Sequence, residues 1–333
     1  MPHVRVSGTA WSFEQGAEHD CILRAGLGAG IGLSYECNSG GCGGCKFELL
    51  EGEVDELWPE APGLSPRDHA KGRRLACQCR ARTDLVIKMR GGDEFLPAFR
   101  PQRMQATLER RREVTHDISE FSLRTREAAR FLPGQYAMLR LADGQAVRAY
   151  SMSNLANDEG LWQFWIRKCS GGRFTPGLFD LPAGSQVTLD GPYGLAHLRP
   201  DSPRDVVCIA GGSGISPMLS IARGVAADPA MAGRKVHFFF GARTRADLCG
   251  AEELEALAGA GFTYQAALSG AAGSGWTGPT GFIHEVVDQQ LGGRLADHEC
   301  YLGGPPAMVE AVTRMLLLER KVPATQVHFD RFF

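Results

Sequence analysis

The spacing of apolar and polar residues divides the chain into three stretches that predict different elements. The first stretch predicts a short helix over 20–29, a helix that begins at Ser65 and Pro66, and a strand over 85–89. The middle stretch holds short alternating runs with glycine and proline between them, at 106–110, 121–124, 137–141 and 161–166. Regular short strands of this kind are typical of an all-β barrel.

The last stretch alternates apolar runs with helical segments. Its predicted strands lie at 206–210, 235–240, 262–266 and 300–302, and its predicted helices run over 216–225 and 251–258. This alternation predicts βαβ units with a parallel sheet, and a nucleotide is expected at the carboxyl ends of the strands. A segment rich in glycine and proline at 91–102 is typical of a linker. We therefore expect three domains, at 1–92, 103–203 and 204–333.

The composition fits a chain that can bury cores, because 44% of its 333 residues are hydrophobic and 22% are charged. A net charge of −2 argues against a nucleic-acid-binding protein. Uninterrupted apolar stretches do not reach the roughly 18 residues that a membrane span needs. The first residues are not followed by an apolar signal segment. We therefore expect a cytoplasmic protein without a membrane span, whose ten cysteines are reduced thiols.

Cysteine spacing is the sharpest chemical signal in the sequence. Residues 37–45 read CNSGGCGGC, so that Cys37, Cys42 and Cys45 have the spacing C-x4-C-x2-C. Closed by a distant fourth cysteine, this is the plant-type [2Fe–2S] ligand pattern. The fourth ligand is Cys77 or Cys79, and the context Leu-Ala-Cys-Gln favours Cys77. Four thiolates also suit zinc, although zinc ribbons usually carry two C-x2-C pairs.

The glycines between these cysteines have a physical role. Gly40, Gly41, Gly43 and Gly44 allow a short loop to take left-handed conformations. The backbone N–H groups of such a loop can then turn toward sulfur. We expect bulkier residues at these positions to block the loop.

The middle stretch contains residues suited to a flavin nucleotide. In the order Arg148-Ala-Tyr150-Ser151, an arginine can neutralise a diphosphate, a tyrosine can flank a flat ring, and a serine can hydrogen-bond a ring nitrogen. Downstream, Gly172 and Thr175 lie at a predicted helix start, where N–H groups can face phosphate. Each piece alone is a weak signal, and a β barrel with a surface arginine is the alternative.

Two glycine-rich turns follow predicted strands of the last stretch. The first departs from G-x-G-x-x-G, because Pro217 stands where the third glycine would be, and a generic tight turn is the alternative. The turn residues are Gly211, Gly212 and Gly214 before Pro217, and Gly304 with Pro305. Arg243 follows the second strand of this domain and is expected near an adenosine ribose.

Together these motifs resemble the reductase components of bacterial multicomponent oxygenases, in the ferredoxin–NADP reductase superfamily. The resemblance covers essentially the whole chain. It rests on Tyr35-Glu36 before the cysteine loop, the segment 75–78, the R-x-Y-S motif, 191–194, the glycine loop followed by proline, and the sequences at 58–64 and 328–333. These last two sequences are similar to those in reductases of diiron monooxygenases. The resemblance implies a multidomain α+β fold: a β-grasp [2Fe–2S] ferredoxin domain, an antiparallel β-barrel FAD domain and an α/β parallel-sheet NAD domain.

The resemblance also implies roles for the candidate residues. Arg148, Tyr150 and Ser151 would meet the phosphate, ring and N5 of FAD, with Ser151 as the hydrogen-bond donor at N5 near the reacting atoms. The remaining implied sites are the FAD pyrophosphate at Gly172 and Thr175, the nicotinamide dinucleotide at the two glycine turns, and a flavin cover at Phe332 or Phe333. The family usually has cysteine near the nicotinamide where this chain has Gly303.

The implied function is electron transfer from NADH through FAD and a [2Fe–2S] cluster to a Rieske-type ferredoxin or a diiron hydroxylase component. Two alternatives are a reductase of a Rieske ring-hydroxylating dioxygenase and a flavin and iron–sulfur redox sensor without turnover. Arg243 and Arg245 offer some positive charge for the 2′-phosphate of NADPH. The sequence around them resembles that of NADH-using relatives, so we expect NADH as the substrate.

An acidic run follows the cysteine loop in the sequence. Its members are Glu48, Glu51, Glu53, Asp55, Glu56 and Glu60. A solvated face is the ordinary interpretation of such a run. The alternative is an acidic docking surface for a partner, with salt-sensitive association.

Overall fold

The computed structural model describes residues 1–142, 144, 146–257, 261–270 and 275–331. The chain forms two compact units. The first contains Met1–Met104, Asp190–Leu195 and Arg331, and the second contains Gln105–Leu189 and Ala196–Asp330. Within the described residues, every helix is too short or too polar to cross a membrane.

The first unit is built around a mixed five-stranded sheet with the order β2-β1-β7-β3-β5. β1 and β7 run parallel, the other pairs in this sheet are antiparallel, and β4 and β6 form a separate antiparallel pair. The elements are β1 (His3–Val6), β2 (Ser12–Glu14), α1 (Ile22–Gly28), β3 (Lys46–Glu51), β4 (Val54–Glu56), α2 (Pro66–Ala70), β5 (Arg73–Leu75), β6 (Cys79–Ala81) and β7 (Leu85–Met89).

The predicted start of α2 is confirmed in atomic detail. The Ser65 hydroxyl accepts a hydrogen bond from the backbone N–H of Asp68, and the Asp68 carboxylate accepts from the Ser65 N–H in return. This capping box satisfies N–H groups that have no partner within the helix. Pro66 occupies the first turn, where its missing N–H costs nothing.

A six-stranded sheet with the order β11-β10-β13-β8-β9-β12 forms a nearly closed barrel. The β10–β11, β8–β9 and β9–β12 pairs are antiparallel, and a bridge between Met152 and Phe164 links the ends of the two edge strands. The elements are β8 (Gln102–Glu113), β9 (Ile118–Arg124), β10 (Tyr136–Arg140), β11 (Val147–Ser151), β12 (Leu161–Arg167), α3 (Thr175–Asp180) and β13 (Gln186–Tyr193).

A five-stranded parallel sheet with the order β16-β15-β14-β17-β18 completes the second unit. Its elements are β14 (Asp205–Gly211), α4 (Ile215–Ala227), β15 (Val236–Ala242), α5 (Ala251–Glu255), β16 (Phe262–Leu268), α6 (Ile283–Leu291), β17 (His298–Gly303), α7 (Pro306–Arg314) and β18 (Val327–Phe329). A π-helical turn, Met315–Glu319, continues α7.

The central strand β14 explains the uninterrupted apolar run that predicted it. Val206, Cys208 and Ala210 face one hydrophobic core, whereas Val207 and Ile209 face the other. A strand covered on both faces has no polar side, so its sequence does not alternate.

Predicted bounds differ most where strand residues are charged. β8 spans twelve residues, Gln102–Glu113, although only 106–110 was predicted. Its last five residues, 109–113, are all glutamate or arginine, so they do not show the alternation of apolar and polar residues that predicts a strand. The predicted helix over 251–258 is described as Ala251–Glu255, and its last predicted residue lies outside the described residues.

Candidate functional site

The structure brings four cysteines of the first unit together. Cys37, Cys42 and Cys45 lie on the loop between α1 and β3, and Cys77 lies on a short turn, Ala76–Gln78, between β5 and β6. The backbone N–H of Cys37 donates to Sγ of Cys42 at 3.4 Å, and the N–H of Cys42 donates to Sγ of Cys37 at 3.4 Å. The N–H of Ala76 donates to the Cys45 carbonyl at 3.0 Å, which holds Cys77 beside Cys45. A hydrogen bond with the Cys45 thiol, together with burial, raises the pKa of Cys77.

The four sulfurs form two pairs and not a tetrahedron. We compared the distances between the ligand atoms of all described histidine, cysteine, aspartate and glutamate side chains. Of these described side chains, only His116, Asp117 and Asp247 form a group of three whose ligand atoms all lie within 4.8 Å of one another. No three of the four cysteine sulfurs therefore lie that close. A single zinc ion would hold all four sulfurs about 3.8 Å apart, given Zn–S bonds of about 2.3 Å. Two pairs, Cys37 with Cys42 and Cys45 with Cys77, fit a cluster of two irons.

The loop backbone turns its N–H groups toward sulfur, as expected from the glycines. Sγ of Cys37 accepts from the N–H of Ser39 at 3.4 Å, and Sγ of Cys42 accepts from the N–H of Gly44 at 3.3 Å. Hydrogen bonds from the Cys42 thiol, from the Ser39 hydroxyl and from the N–H groups of Ser39 and Cys42 lower the pKa of Cys37, and burial opposes this. Donors of this kind stabilise the negative charge of a thiolate-bound cluster.

The left-handed residues of the loop are only partly those predicted. Gly40 and Gly43 have φ of 90° and 78°, whereas the third left-handed residue is Asn38, with φ of 52°. A Cβ on Gly43 would lie 2.6 Å from the Gly63 carbonyl oxygen, so this position also needs glycine for a close approach. Gly41 and Gly44 were expected to be left-handed but do not have positive φ.

Asn38 contributes a buried donor that sequence reasoning missed. Its side chain is 1% exposed, and its Oδ1 accepts from Nε of Arg24 at 3.3 Å. Its Nδ2 has no hydrogen-bond partner among the described residues. Arg24 is itself buried and pairs with Asp20 at 2.7 Å. Buried N–H groups are almost always hydrogen-bonded, so we expect the Asn38 amide to have an acceptor inside the loop. A sulfur of a bound cluster would supply this acceptor.

Cys79, the alternative fourth ligand, lies in β6. Burial raises the pKa of its thiol to about 12. The contacts described above place Cys77, and not Cys79, beside Cys45.

In the barrel, the three residues of the R-x-Y-S motif end strand β11. Arg148 and Tyr150 share one face of the strand by alternation. The Tyr150 ring packs 5.5 Å from that of Phe174, and burial raises the pKa of its hydroxyl. The Arg148 guanidinium is exposed and donates to its neighbouring Val147 carbonyl at 2.9 Å. The Ser151 carbonyl accepts a hydrogen bond from the Ser216 hydroxyl at 2.8 Å.

Thr175 begins α3, as predicted, and its hydroxyl bonds to the loop before the helix. It accepts from the backbone N–H of Cys169 at 2.9 Å and donates to the Cys169 carbonyl at 3.2 Å. The N–H of Gly172 also donates to this carbonyl, at 2.9 Å. The hydroxyl and the Gly172 N–H thus close the 169–175 loop at the start of α3.

The two predicted glycine turns pack against each other at the ends of β14 and β17. A Cβ on Gly214 would lie 2.2 Å from the Gly303 carbonyl oxygen, and a Cβ on Gly211 would lie 2.6 Å from Sδ of Met308. Gly212 and Gly304 have φ of 55° and 157°. Pro217 lies in the first turn of α4. Only glycine permits backbones to approach this closely.

A cleft of about 180 Å³ opens beside these turns, at the carboxyl ends of the parallel strands. Four predicted residues line it, and Arg167 and Asp247 are among the lining residues that were missed. The predicted lining residues are Gly211, Gly212, Arg243 and Pro305. Nε of Arg167 pairs with Asp117 at 2.6 Å, and a second guanidinium nitrogen lies 3.7 Å from Asp247. Phe333, the expected flavin cover, lies outside the described residues.

Most of the acidic run after the cysteine loop is paired with arginine. Four of its six members have a partner: Glu48 with Arg73 at 3.5 Å, Glu56 with Arg74 at 2.6 Å, and Glu53 and Asp55 with Arg82 at 3.3 and 3.5 Å. This pairing supports a solvated face over a docking surface of uncompensated charge.

Known protein families match each part of the chain. Residues 4–82 match the 2Fe-2S iron-sulfur cluster binding domain, and residues 105–198 match the oxidoreductase FAD-binding domain. Residues 208–314 match the oxidoreductase NAD-binding domain. The three sets of candidate residues fall in the domains that bind the corresponding groups.

Whole-length relatives give the same result. The chain is 45% identical over 322 residues to the ferredoxin–NAD(P)(+) reductase CarAd of Metapseudomonas resinovorans, covering 94% of each protein. It is 40% identical to the ferredoxin–NAD(+) reductase component of the alkene monooxygenase system of Xanthobacter autotrophicus, over 93% of this chain and 95% of the relative. The solved structure of the ferredoxin reductase in carbazole 1,9a-dioxygenase superposes with a TM-score of 0.91 at 41% identity, covering 100% of this chain and 98% of the other.

The fold and the site define an iron–sulfur flavoprotein oxidoreductase. They confirm the predicted fold class, a ferredoxin domain with a barrel FAD domain and a parallel-sheet NAD domain, and the predicted cofactors NADH, FAD and [2Fe–2S]. The chain belongs to the family of ferredoxin–NAD(P)(+) reductase components of oxygenase systems, which transfer electrons from NADH via FAD.

Proposed function

We propose that Cys37 and Cys42 hold one iron of the [2Fe–2S] cluster and that Cys45 and Cys77 hold the other. The paired arrangement of the sulfurs is the observation that carries this assignment. The N–H groups of Ser39 and Gly44 and the amide of Asn38 are the donors that this loop offers to sulfur.

In the barrel, we propose that Arg148 neutralises the FAD diphosphate, Tyr150 flanks the flavin ring and Ser151 is the hydroxyl donor at N5. The exposed Arg148 head and the half-buried Tyr150 ring on one strand face support this assignment. Gly172 and Thr175 hold the loop before α3 through Cys169, Gly172 with its N–H and Thr175 with its hydroxyl, and the N–H groups at the start of α3 meet the pyrophosphate.

The nicotinamide dinucleotide is assigned to the cleft at the parallel sheet. Gly211, Gly212 and Pro305 line this cleft. Gly214, Pro217 and Gly304 do not line it and are assigned to the dinucleotide as members of the two turns that pack against each other beside it. We assign Arg243 to the adenosine side, and propose NADH as the substrate because Asp247, a carboxylate unfavourable to a 2′-phosphate, lines the same cleft.

Bound NADH, FAD and a [2Fe–2S] cluster together supply hydride transfer and one-electron transfer. The protein's part is to fix the two glycine turns against each other, to hold the Ser151 backbone through Ser216, and to bury three of the four sulfurs. We further assign domains at 1–92, 103–203 and 204–333 and a cytoplasmic location, which the ten free cysteines support.

We propose that the electron acceptor is a Rieske-type ferredoxin or the hydroxylase of a diiron monooxygenase. The name of the 40% identical relative, a reductase component of an alkene monooxygenase system, supports a monooxygenase. A second candidate is a Rieske ring-hydroxylating dioxygenase, which the similar reductase structure in carbazole 1,9a-dioxygenase favours.

The test is to mix the purified holoprotein with NADH and ferricyanide, and then with a purified Rieske ferredoxin or a diiron hydroxylase. We expect the flavin and cluster absorbance to bleach with NADH, and one of the two protein acceptors to be reduced. A protein that holds both groups but does not bleach or reduce ferricyanide would be a redox sensor and not a reductase. Bleaching without transfer to either protein would refute only the acceptor assignment.

A further inference from the structure

Arg331 binds Glu36 through a complete fork of hydrogen bonds. Its Nε donates to Oε1 of Glu36 at 2.8 Å, and a second guanidinium nitrogen donates to Oε2 at 2.9 Å. The backbone N–H of Arg331 also donates to Oε1, at 3.0 Å. Although 295 positions separate the two residues along the chain, both belong to the first compact unit. This geometry fixes the guanidinium more firmly than a single-contact surface pair does.

The pair stands beside the cysteine loop. Glu36 directly precedes Cys37 in the sequence. The hydrogen bonds to Glu36 raise the pKa of Arg331, burial opposes this, and the negative charge of Cys42 and Cys37 adds to the increase. The guanidinium therefore lies within electrostatic reach of two sulfurs, one of which, Cys42, is only half-buried.

The fork contributes to the stability of the fold, but the Arg331 side chain is 47% exposed, so solvent screening keeps this contribution modest. The charge of Arg331 has a clearer consequence for an iron–sulfur cluster. Reduction adds a negative charge to a centre that thiolates already make anionic, so a nearby cation favours the reduced state and a nearby carboxylate disfavours it.

We propose that Arg331 and Glu36 set the reduction potential of the [2Fe–2S] cluster in opposite directions, Arg331 raising it and Glu36 lowering it. This proposal rests on the proposed ligand set. The fork keeps the two charges at fixed positions relative to Cys37 and Cys42, so their opposing effects are reproducible and not averaged over many side-chain conformations. Arg331 is thus a residue that acts on the cluster by charge and is not a ligand.

The test is a redox titration of the full-length holoprotein, followed by the EPR signal of the reduced cluster. The variants are Arg331→Gln, Arg331→Lys, Glu36→Gln and the double variant Glu36→Gln/Arg331→Gln. Arg90→Gln is the matched control, because Arg90 forms an exposed pair with Glu94 at 3.4 Å in the same unit. Iron and sulfide content and the melting temperature of each variant are measured beside the potential.

We expect Arg331→Gln to shift the cluster potential to a more negative value and Glu36→Gln to shift it to a more positive value. The double variant should lie between them, Arg331→Lys should stay near the original protein because it keeps the charge, and Arg90→Gln should show no shift. The proposal is overturned if Arg331→Gln behaves like Arg90→Gln, or if Arg331→Gln and Glu36→Gln shift the potential in the same direction.

The two proposals fail in distinguishable ways. If the original protein binds iron and sulfide but Cys37→Ser leaves its cluster spectrum unchanged, the proposed ligand set is wrong. If the cluster is intact and its reduction potential does not change when either charge is removed, only the role of Arg331 and Glu36 is refuted. If Arg331→Gln loses the cluster, Glu36→Gln is compared with the original protein at increasing salt. The more positive potential of Glu36→Gln should return toward that of the original protein as salt screens the unbalanced Arg331 charge, and equal potentials at low salt would refute the proposal.

Discussion

The Ser216 hydroxyl donates a hydrogen bond of 2.8 Å to the carbonyl oxygen of Ser151. The same hydroxyl accepts from the backbone N–H of Trp165 at 3.2 Å. Ser216 lies in the first turn of α4, directly after the glycine turn, and it is 2% exposed. One buried side chain therefore ties the segment proposed for NADH to the strand end proposed for the flavin N5.

Replacement of Ser216 by alanine should weaken both the fold and the reaction. It leaves a part-buried carbonyl and a buried N–H without their Ser216 partner, which costs about 1–3 kcal/mol. We expect the melting temperature to fall by roughly 2–5 °C. Because small misplacements of reacting groups are costly, we also expect NADH-dependent ferricyanide reduction to slow by roughly 3- to 10-fold. Calorimetry and steady-state kinetics measure the two effects.

Ser153 is the matched control for this substitution. It is fully buried, but its hydroxyl has no hydrogen-bond partner in the part of the chain that the structure describes. Removal of an unpaired hydroxyl relieves a desolvation cost, so Ser153→Ala should leave the melting temperature unchanged or raise it. An equal loss of stability in Ser153→Ala and Ser216→Ala would show that the Ser216 bonds are not the cause.

The fourth cluster ligand can be tested with two neighbouring cysteines. Cys77→Ser should lose the visible absorbance and the EPR signal of the cluster, or change both, because Cys77 is paired with Cys45. Cys79→Ser should keep both, since that thiol is a buried side chain of β6 with a raised pKa. Iron content per protein and visible absorption measure the result. Loss of the cluster in Cys79→Ser with retention in Cys77→Ser would reverse the assignment.

Local signals in the sequence were sufficient for much of the fold and for part of the site. The apolar run of β14, the Ser65-Pro66 helix start and the C-x4-C-x2-C spacing each depend on neighbours within a few residues. Such patterns determine backbone conformation and burial locally, so a single sequence is enough to detect them.

Other features depend on contacts between distant residues and leave no local pattern. Arg331 meets Glu36 across 295 positions, and Arg167 meets Asp117 across 50. The motif predicted a helix start at Thr175, and the structure confirms it. Only the three-dimensional packing shows that the Thr175 hydroxyl closes its own loop through Cys169.

Asn38 combines two roles that substitutions can separate. Glycine tolerates its left-handed backbone but has no amide, whereas alanine loses the amide and is also strained by roughly 1–2 kcal/mol. We expect Asn38→Gly to assemble the cluster with a lower reduction potential, because a hydrogen bond to sulfur is lost. Asn38→Ala should show the same lower potential and also a lower melting temperature. An unchanged potential in both variants would mean that the amide does not reach the cluster.

His197 should make the second unit less stable in acid. Burial, followed by the nearby Arg199 guanidinium, lowers the pKa of His197 to about 4. Its unfolded value is about 6.5, so between these pH values the unfolded chain binds a proton that the folded chain does not. Stability is therefore full above pH of about 6.5 and falls as the pH decreases toward 4, by up to roughly 2 kcal/mol at pH of about 4.5.

Urea unfolding of the original protein and of His197→Asn at several pH values measures this effect. The variant should lose less stability between neutral pH and pH of about 4.5, because asparagine does not titrate. His69→Asn, at an exposed position of α2, should follow the original protein. Parallel pH profiles for all three proteins would show that His197 does not titrate in this range.

The resemblance implies a cysteine where this chain has Gly303, and the packing predicts what a cysteine would do here. A Cβ on Gly303 would lie 2.5 Å from the backbone oxygen of Gly214 and 3.2 Å from Cγ of Pro217. The glycine turn would have to move, and overpacking of this kind costs about 1–3 kcal/mol. We expect Gly303→Cys and Gly303→Ala to raise the KM for NADH by roughly 5-fold or more, with similar values, because Cβ and not the thiol causes the clash. Gly293→Ala, where a Cβ meets no atom within 4 Å, should have no effect. A higher kcat with unchanged KM in Gly303→Cys alone would instead mean that the turn accommodates the side chain and that the thiol assists hydride transfer.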